Sequence, residues 1–209
     1  MIKKNEQSDF WIGEGGNDYI KRNSKTNNVI NNRVEFWQNI LTRVDLDANA
    51  SVLEVGSNIG LNIEAMKKIK PINFFALEPN GTACEHLAKN NVLPKENIKQ
   101  GLATKIDFSN GMFDLVFTCG VLIHISPSDL EEAINEIRRV SKKYIICCEY
   151  FSDKIQEIEY QGKEKLLFKR DFGSFFLDKI SSLKLVDYGF AWKRVTGIDN
   201  LTWWIFEIK

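Results

Sequence analysis

The stretch Ser51-Val52-Leu53-Glu54-Val55-Gly56-Ser57-Asn58-Ile59-Gly60-Leu61-Asn62 decides the fold of this 209-residue chain. A short β-branched apolar run breaks into a polar turn bearing two glycines, and apolar residues then recur at helical spacing. This reads as strand, tight turn and helix start. Such a turn aims unpaired N–H groups at a nucleotide-type cofactor from a helix N-terminus. Spacing decides which cofactor. A dinucleotide fingerprint wants glycine at its first, third and sixth positions, where this chain has Gly56, Asn58 and Leu61. The side chain at the third position and the bulk at the sixth argue against a pyrophosphate, which makes a nicotinamide-dependent oxidoreductase the weaker reading.

Outward from the turn, the chain reads as alternating strands and helices. INFFALEP (72–79) is a second continuous apolar strand, Ile98 to Ala103 a third, FDLVFTCG (113–120) a fourth and KYIICCEYF (143–151) a fifth. Continuous runs mark strands buried on both faces, as in parallel sheets. LKLVDYGFAWKRV and LTWWIFEIK, separated by Gly197 and Asp199-Asn200, are two closely joined and therefore antiparallel final strands. Helices are expected at 34–44, at about 59–69, through about Lys89, and after Ser128, which with Glu131 reads as a capping box. Residues 8–24 carry Phe10, Trp11, Tyr19 and three glycines without periodicity, and read as a loop-rich arm or a lid. The stretch 152–182 reads as a hairpin-like insertion. One domain is expected: arm and helix 1–47, cofactor core 48–151, substrate-side insertion 152–182, and C-terminal strands 183–209.

Lys+Arg and Asp+Glu both number 28, so no net field draws the chain to nucleic acid or an anionic membrane, and a small-molecule partner is favoured. The four cysteines make no C-x-x-C pair, which suits reduced cytosolic thiols, and no metal is expected. The opening MIKKNEQSDF has no apolar core behind it, and no run approaches membrane-spanning length, so a cytoplasmic protein is expected. The composition leaves the oligomeric state open.

Glu78 ends the second strand, where both carboxylate oxygens can accept hydrogen bonds from a ribose diol; the alternative is a solvated strand-end carboxylate. Glu149 and Tyr150 end the fifth strand, and ligands of open α/β sheets lie beyond such ends, so both are candidates to border the acceptor and handle a proton. Glu149 could instead pair with Arg170. Lys169-Arg170 and Lys193-Arg194 lie beside aromatics. Either pair decorates a solvated face or clamps an anionic substrate.

Glu54-x-Gly56-x-Asn58-x-Gly60 resembles motif I of the class I S-adenosylmethionine (SAM) methyltransferases, with Asn58 in place of the middle glycine. Phe113-Asp114-Leu115-Val116 with Val121-Leu122-x-His124 resembles motif IV and its following loop. The resemblance implies a three-layer, doubly wound α/β fold with a Rossmann-like sheet of seven strands in the order 3-2-1-4-5-7-6, the last antiparallel. It also implies that Glu54 sits near the methionine ammonium, that Gly56, Ser57, Asn58 and Gly60 wrap that end, and that Thr118, Cys119 and Gly120 line it. The family's Gly-Asp-Ala after the third strand is here Gly101-Leu102-Ala103-Thr104, which moves the adenine contact to Ala103, Thr104 or nearby Asp107. His124 is a general base or a loop organiser. More narrowly, FWIGEGGNDYIKRN, LEVGSNIGLN, LFKRDFG and DYGFAWKR together resemble the methyltransferases associated with pseudaminic acid biosynthesis, departing at Gly15, where an aromatic is expected. That implies N- or O-methylation of a nucleotide-linked amino sugar or nonulosonic acid in a bacterial sugar-modification context, with Trp11, Tyr19, Lys169 and Arg170 as substrate contacts. A SAM-binding sensor or partner subunit without catalysis is the alternative of a different class.

Overall fold

A computed structural model describes residues 5–23 and 25–209. Residues 1–4 and Ser24, part of the expected arm, lie outside the described residues. Nine strands and eight α-helices are described: α1 (Glu6–Ile12), α2 (Glu14–Arg22), α3 (Asn27–Leu41), β1 (Ser51–Val55), α4 (Leu61–Ile69), β2 (Asn73–Glu78), α5 (Gly81–Lys89), β3 (Ile98–Gln100), β4 (Phe113–Cys119), α6 (Leu130–Val140), β5 (Ser141–Glu149), β6 (Gln156–Tyr160), β7 (Lys163–Lys169), α7 (Phe172–Lys179), β8 (Leu183–Ala191), α8 (Lys193–Thr196) and β9 (Leu201–Ile208). The main sheet runs β3-β2-β1-β4-β5-β9-β8, with β9 antiparallel to both neighbours and every other pair parallel. This is the expected order, with the β6–β7 hairpin inserted between β5 and α7.

Neighbouring residues of each central strand enter opposite cores, which is why the runs read as continuously apolar. Val52, Phe117, Cys148 and Trp203 face α3 and α4, while Leu53, Val116, Cys147 and Trp204 face α6 and α7. Trp37 of α3 is fully buried against Phe117, and its indole N–H donates to Asn62 Oδ1 at 3.1 Å. The first core thus reaches directly to the turn after β1.

Two local expectations are corrected. The N-terminal arm is helical: Asn5 and Ser8 cap α1 reciprocally, and α2 follows with Gly15 and Gly16 buried inside it. A side chain at Gly15 would run into the Phe10 ring, so Phe10 fills the space where an aromatic was expected. Two glycines and short, end-to-end helices hide the period. At α6 the N-cap is Asp129, without a side-chain cap bond, because the Ser128 hydroxyl is engaged by Ser126 and Asp129. No described helix is long and apolar enough to cross a membrane.

The Trp37 link predicts that Trp37→Phe, which keeps most of the volume but strands Asn62 Oδ1, lowers unfolding free energy by about 1–3 kcal/mol. Trp37→Ala should cost about 3–5 kcal/mol. Denaturant titration measures both, and a Trp37→Phe protein as stable as wild type would remove the bond from the argument.

Candidate functional site

The turn after β1 takes the left-handed backbone at Gly56 (φ 74°), Asn58 (φ 47°) and Gly60 (φ 80°). Asn58 adopts the conformation that an asparagine tolerates better than other side-chain-bearing residues. A Cβ on Gly56 would lie 2.5 Å from Val121, and one on Gly60 2.6 Å from Leu87. Gly56 therefore lets the turn approach the loop after β4, whereas Gly60 seats the start of α4 on the core and does not line the cavity.

Two cavities meet around this turn, with empty volumes of about 930 and 1180 Å³. Tyr19, Gly56, Asn58, Gly120 and His124 line both, so together they form one elongated site at the carboxyl ends of the strands. The first holds Glu78, Leu102, Ala103, Thr104, Val121 and Ile125 beneath Gln7 and Trp11 of the arm. The second holds Arg33, Glu54, Ser57, Asn62, Cys119, Tyr150, Tyr160 and Asp199.

Glu78 is buried, and its oxygens accept the backbone N–H groups of Asn58 (2.7 Å) and Asn80 (2.9 Å). It is not a solvated strand-end carboxylate. Each oxygen keeps a lone pair for a diol, but replacing this residue also unpins two loops. Burial pushes its carboxyl up to about 7. Glu54 is pushed to about 8, chiefly by burial; its Oε1 accepts from Asn62 Nδ2 at 2.8 Å, and Oε2 has no partner among the described residues. Ser57 Oγ is also buried without a partner. Arg33 shares this cavity, its guanidinium donating only to the Val29 carbonyl among the described contacts. An unpartnered carboxylate oxygen, an unpartnered hydroxyl and a guanidinium fit the ammonium and carboxylate of an amino acid moiety, while Glu78 fits a ribose, so the residues present suit SAM.

His124 lines both cavities, packed between Trp11 (ring centroids 4.4 Å apart) and Tyr160 (5.0 Å). Its Nδ1 lies 2.7 Å from the Leu166 carbonyl, so Nδ1 carries the proton, and burial lowers its pKa to about 4. A neutral imidazole locked this way organises the loop and is a weak base. Tyr150 borders the second cavity, and burial first, then Asp199, raises its phenol. Tyr19 is likewise raised by burial.

Several expected residues lie elsewhere. Glu149 is fully buried and lines neither cavity; it accepts the N–H groups of Val121 (3.0 Å) and Ile123 (3.4 Å), so it anchors the loop after β4. It does not pair with Arg170 either, whose guanidinium stacks on Phe175 at 3.8 Å. Lys169 sits over the Tyr150 ring at 5.5 Å, and neither basic residue lines either of the two cavities. Thr118 is buried beneath the site, leaving Cys119 and Gly120 on its wall. Asp107 is exposed and faces Lys99 at 3.8 Å, whereas Leu102, Ala103 and Thr104 line the first cavity. The sequence reading missed Arg22, Arg33, Asn62, Tyr160 and Asp199. Only Asn62 carried a signal, as the first polar residue after the turn.

Comparison with known proteins agrees with this fold. Residues 53–147 match the family model described as a methyltransferase domain. A SAM-dependent methyltransferase from Leishmania major aligns at 15% identity and TM-score 0.70, covering 97% of this chain and 87% of that one. The 1,6-didemethyltoxoflavin-N1-methyltransferase of Burkholderia thailandensis, solved with 1,6-didemethyltoxoflavin and S-adenosylhomocysteine, aligns at 14% identity and TM-score 0.69, covering 97% and 87%. A SAM-dependent methyltransferase from Aquifex aeolicus gives 14% identity and TM-score 0.66 over 92% and 98%. The search of curated proteins found no match. The chain has the fold of the class I methyltransferases, and its central residues 53–147 are similar to the methyltransferase domain.

The raised carboxyls fix a pH dependence. Glu54, Glu78 and Glu149 keep protons in the folded protein up to about 8, 7 and 7, against 4.5 ordinarily. Their contribution is fully present below about pH 4.5 and is lost as pH rises through those folded values, because the unfolded chain releases its protons first. Melting temperature of the ligand-free protein should therefore fall from about pH 5 to about pH 8, and Glu54→Gln should flatten that slope. A flat wild-type profile would contradict the burial argument.

Proposed function

We propose that this chain is a SAM-dependent methyltransferase acting on a small anionic amino sugar derivative, a nucleotide-linked amino sugar or a nonulosonic acid, with nitrogen as the methylated atom. The methyltransferase-domain match supports the cofactor and reaction class. The observation that carries the reading is Glu54, a buried carboxylate with one free oxygen, facing the same cavity as Arg33.

When bound, SAM supplies a methyl group on a positively charged sulfur, so the acceptor needs a lone pair held in line. Glu54 would hold the ammonium, Arg33 the carboxylate and Glu78 the ribose. The Gly56–Asn58 turn and Gly120 would bring the methyl-bearing end toward Tyr19, Tyr150, Tyr160 and Asp199, which shape the acceptor space. The wall offers one carboxylate, Asp199, and otherwise only weak bases: the Tyr19 and Tyr150 phenols are raised and stay protonated, and His124 is a weak base. That favours an amine, which gives up its proton to solvent, over a hydroxyl, which needs a base. Arg22 stands at the rim, its guanidinium over Tyr19 at 5.3 Å, and replaces the Lys169-Arg170 pair as the group to meet an anionic acceptor.

Calorimetry should show SAM and S-adenosylhomocysteine binding and NAD failing to bind. Glu54→Gln and Arg33→Ala should each weaken SAM by about 1.5–3 kcal/mol, the worth of a hydrogen bond to a charged group. NAD binding more tightly than SAM would overturn the assignment. Methyl transfer from labelled SAM to a panel of nucleotide amino sugars tests the acceptor. Arg22→Ala should raise the acceptor KM roughly tenfold with SAM affinity unchanged, and Arg170→Ala should leave both near wild type. SAM binding without turnover on any amine or hydroxyl sugar would instead favour a non-catalytic SAM-binding subunit.

A further inference from the structure

Among the described residues, strand β8 is an edge of the main sheet, bonded to β9 alone. Its two faces differ sharply. On the side of α3, Asp187 pairs with Arg43 at 2.5 Å, Gly189 lies beneath the Trp203 ring and Ala191 is buried. The opposite side carries Leu185, Tyr188 and Phe190, standing across from Phe206, Trp204 and Thr202 of β9. On that side α7 covers the β9 row, with Phe176 on Phe206 and Gly173 against Trp204, while Tyr188 and Phe190 of β8 stay exposed. Tyr188 is 65% exposed, Phe190 61% and the following Trp192 54%.

A free edge with an apolar face pairs readily with another strand, and folds that stay monomeric blunt such edges with lysine, proline or a bulge. Here Lys184 and the irregularity between Leu185 and Asp187 guard only the first half. The segment 187–191 is regular and free of proline and lysine.

We infer that β8 is the contact of a symmetric dimer, pairing antiparallel with β8 of a second copy about a two-fold axis at Gly189, with Tyr188 opposite Phe190 of the second copy. Three observations point to a second copy as the occupant. An antiparallel strand pair meets the self-complementarity that a two-fold interface demands. Centring on Gly189 makes two identical Tyr–Phe cross-strand pairs, the arrangement that stabilises antiparallel pairing. Equal numbers of basic and acidic residues leave no net charge to hold two copies apart. At ~150–250 Å² per aromatic side chain, the exposed parts of Tyr188, Phe190 and Trp192 supply roughly 300–400 Å² per copy. That is close to half of the about 800 Å² per partner of a stable interface, and the paired backbone with Leu185 and Val195 around it adds to this.

Sedimentation velocity of the full chain over a wide concentration range should give a species of twice the 24.1 kDa chain mass. Tyr188→Lys and Phe190→Lys, which force a charged ammonium to be desolvated within the apolar seam, should each shift the protein to monomer with unchanged circular dichroism. Amide hydrogen exchange on the wild type gives a reading independent of any variant: the outward N–H groups of 187–191 should be protected at high concentration and exchange freely on dilution. A wild type that stays monomeric, or a dimer that keeps its mass in both folded variants, overturns the proposal. So does exchange at 187–191 that ignores concentration, and a monomer would leave this face to a different protein.

Discussion

The site depends on three carboxylates buried at the carboxyl ends of parallel strands: Glu54 on β1, Glu78 on β2 and Glu149 on β5. Burying a charge is costly unless it is answered, so each must find donors or hold its proton. Glu78 finds the N–H groups of Asn58 and Asn80, tying the turn after β1 to the start of α5. Glu149 finds those of Val121 and Ile123, tying the loop after β4 to β5. Both are structural pins whose donors are supplied by the loops that border the cavity. Glu54 differs, because the protein answers only one of its oxygens. The chain satisfies two of its three buried acids internally and leaves one oxygen of the third without a partner among the described residues.

The same economy shapes the arm. Asn80, the N-cap of α5, accepts the Ala83 N–H through its oxygen and turns its amide toward the Trp11, Ile12 and Gly13 carbonyls and Asn17 Oδ1. One residue therefore sets both the helix behind Glu78 and the arm above it. Gln7 Nε2 donates to the Lys165 carbonyl at 2.7 Å, and Asn5 Nδ2 to Asp129, so α1 rests on the β7 hairpin and on the start of α6. Trp11 is thereby held on His124, and His124 on Leu166. The wall over the ribose side is built from pieces that are far apart in sequence.

That distribution explains what the sequence made legible. The sheet was readable because each central strand feeds two cores and so is apolar at every step, and Asn58 was readable because the left-handed backbone admits few other side chains. The strand-end acids were visible as residues, but their duties were not. Nothing local distinguishes Glu149, whose donors come from 26 and 28 residues away, from Glu54, whose partner lies 8 residues on. Arg170 looked like a clamp beside aromatics, yet its aromatic partner is Phe175 on the following helix. Arg33 sits within α3, and only the packing of α3 on α4 brings it to the turn.

The two halves of the site also differ in what fixes them. The cofactor half is made from strand ends and the turns directly after them, positions set by sheet register and by the buried acids. The half proposed for the acceptor draws Tyr19 and Arg22 from α2, Tyr160 and Leu167 from the inserted hairpin, and Ile198 and Asp199 from the segment before β9. None of these elements belongs to the alternating core, and each can change without disturbing the β1 turn. A fold shared at about 15% identity can therefore keep one cofactor geometry while presenting unrelated acceptor surfaces. In this chain the appended surface has a specific character: three phenols, a guanidinium and a carboxylate around a space without a strong base. Such a wall orients a polar acceptor by donated hydrogen bonds and leaves its nucleophilicity to the acceptor itself.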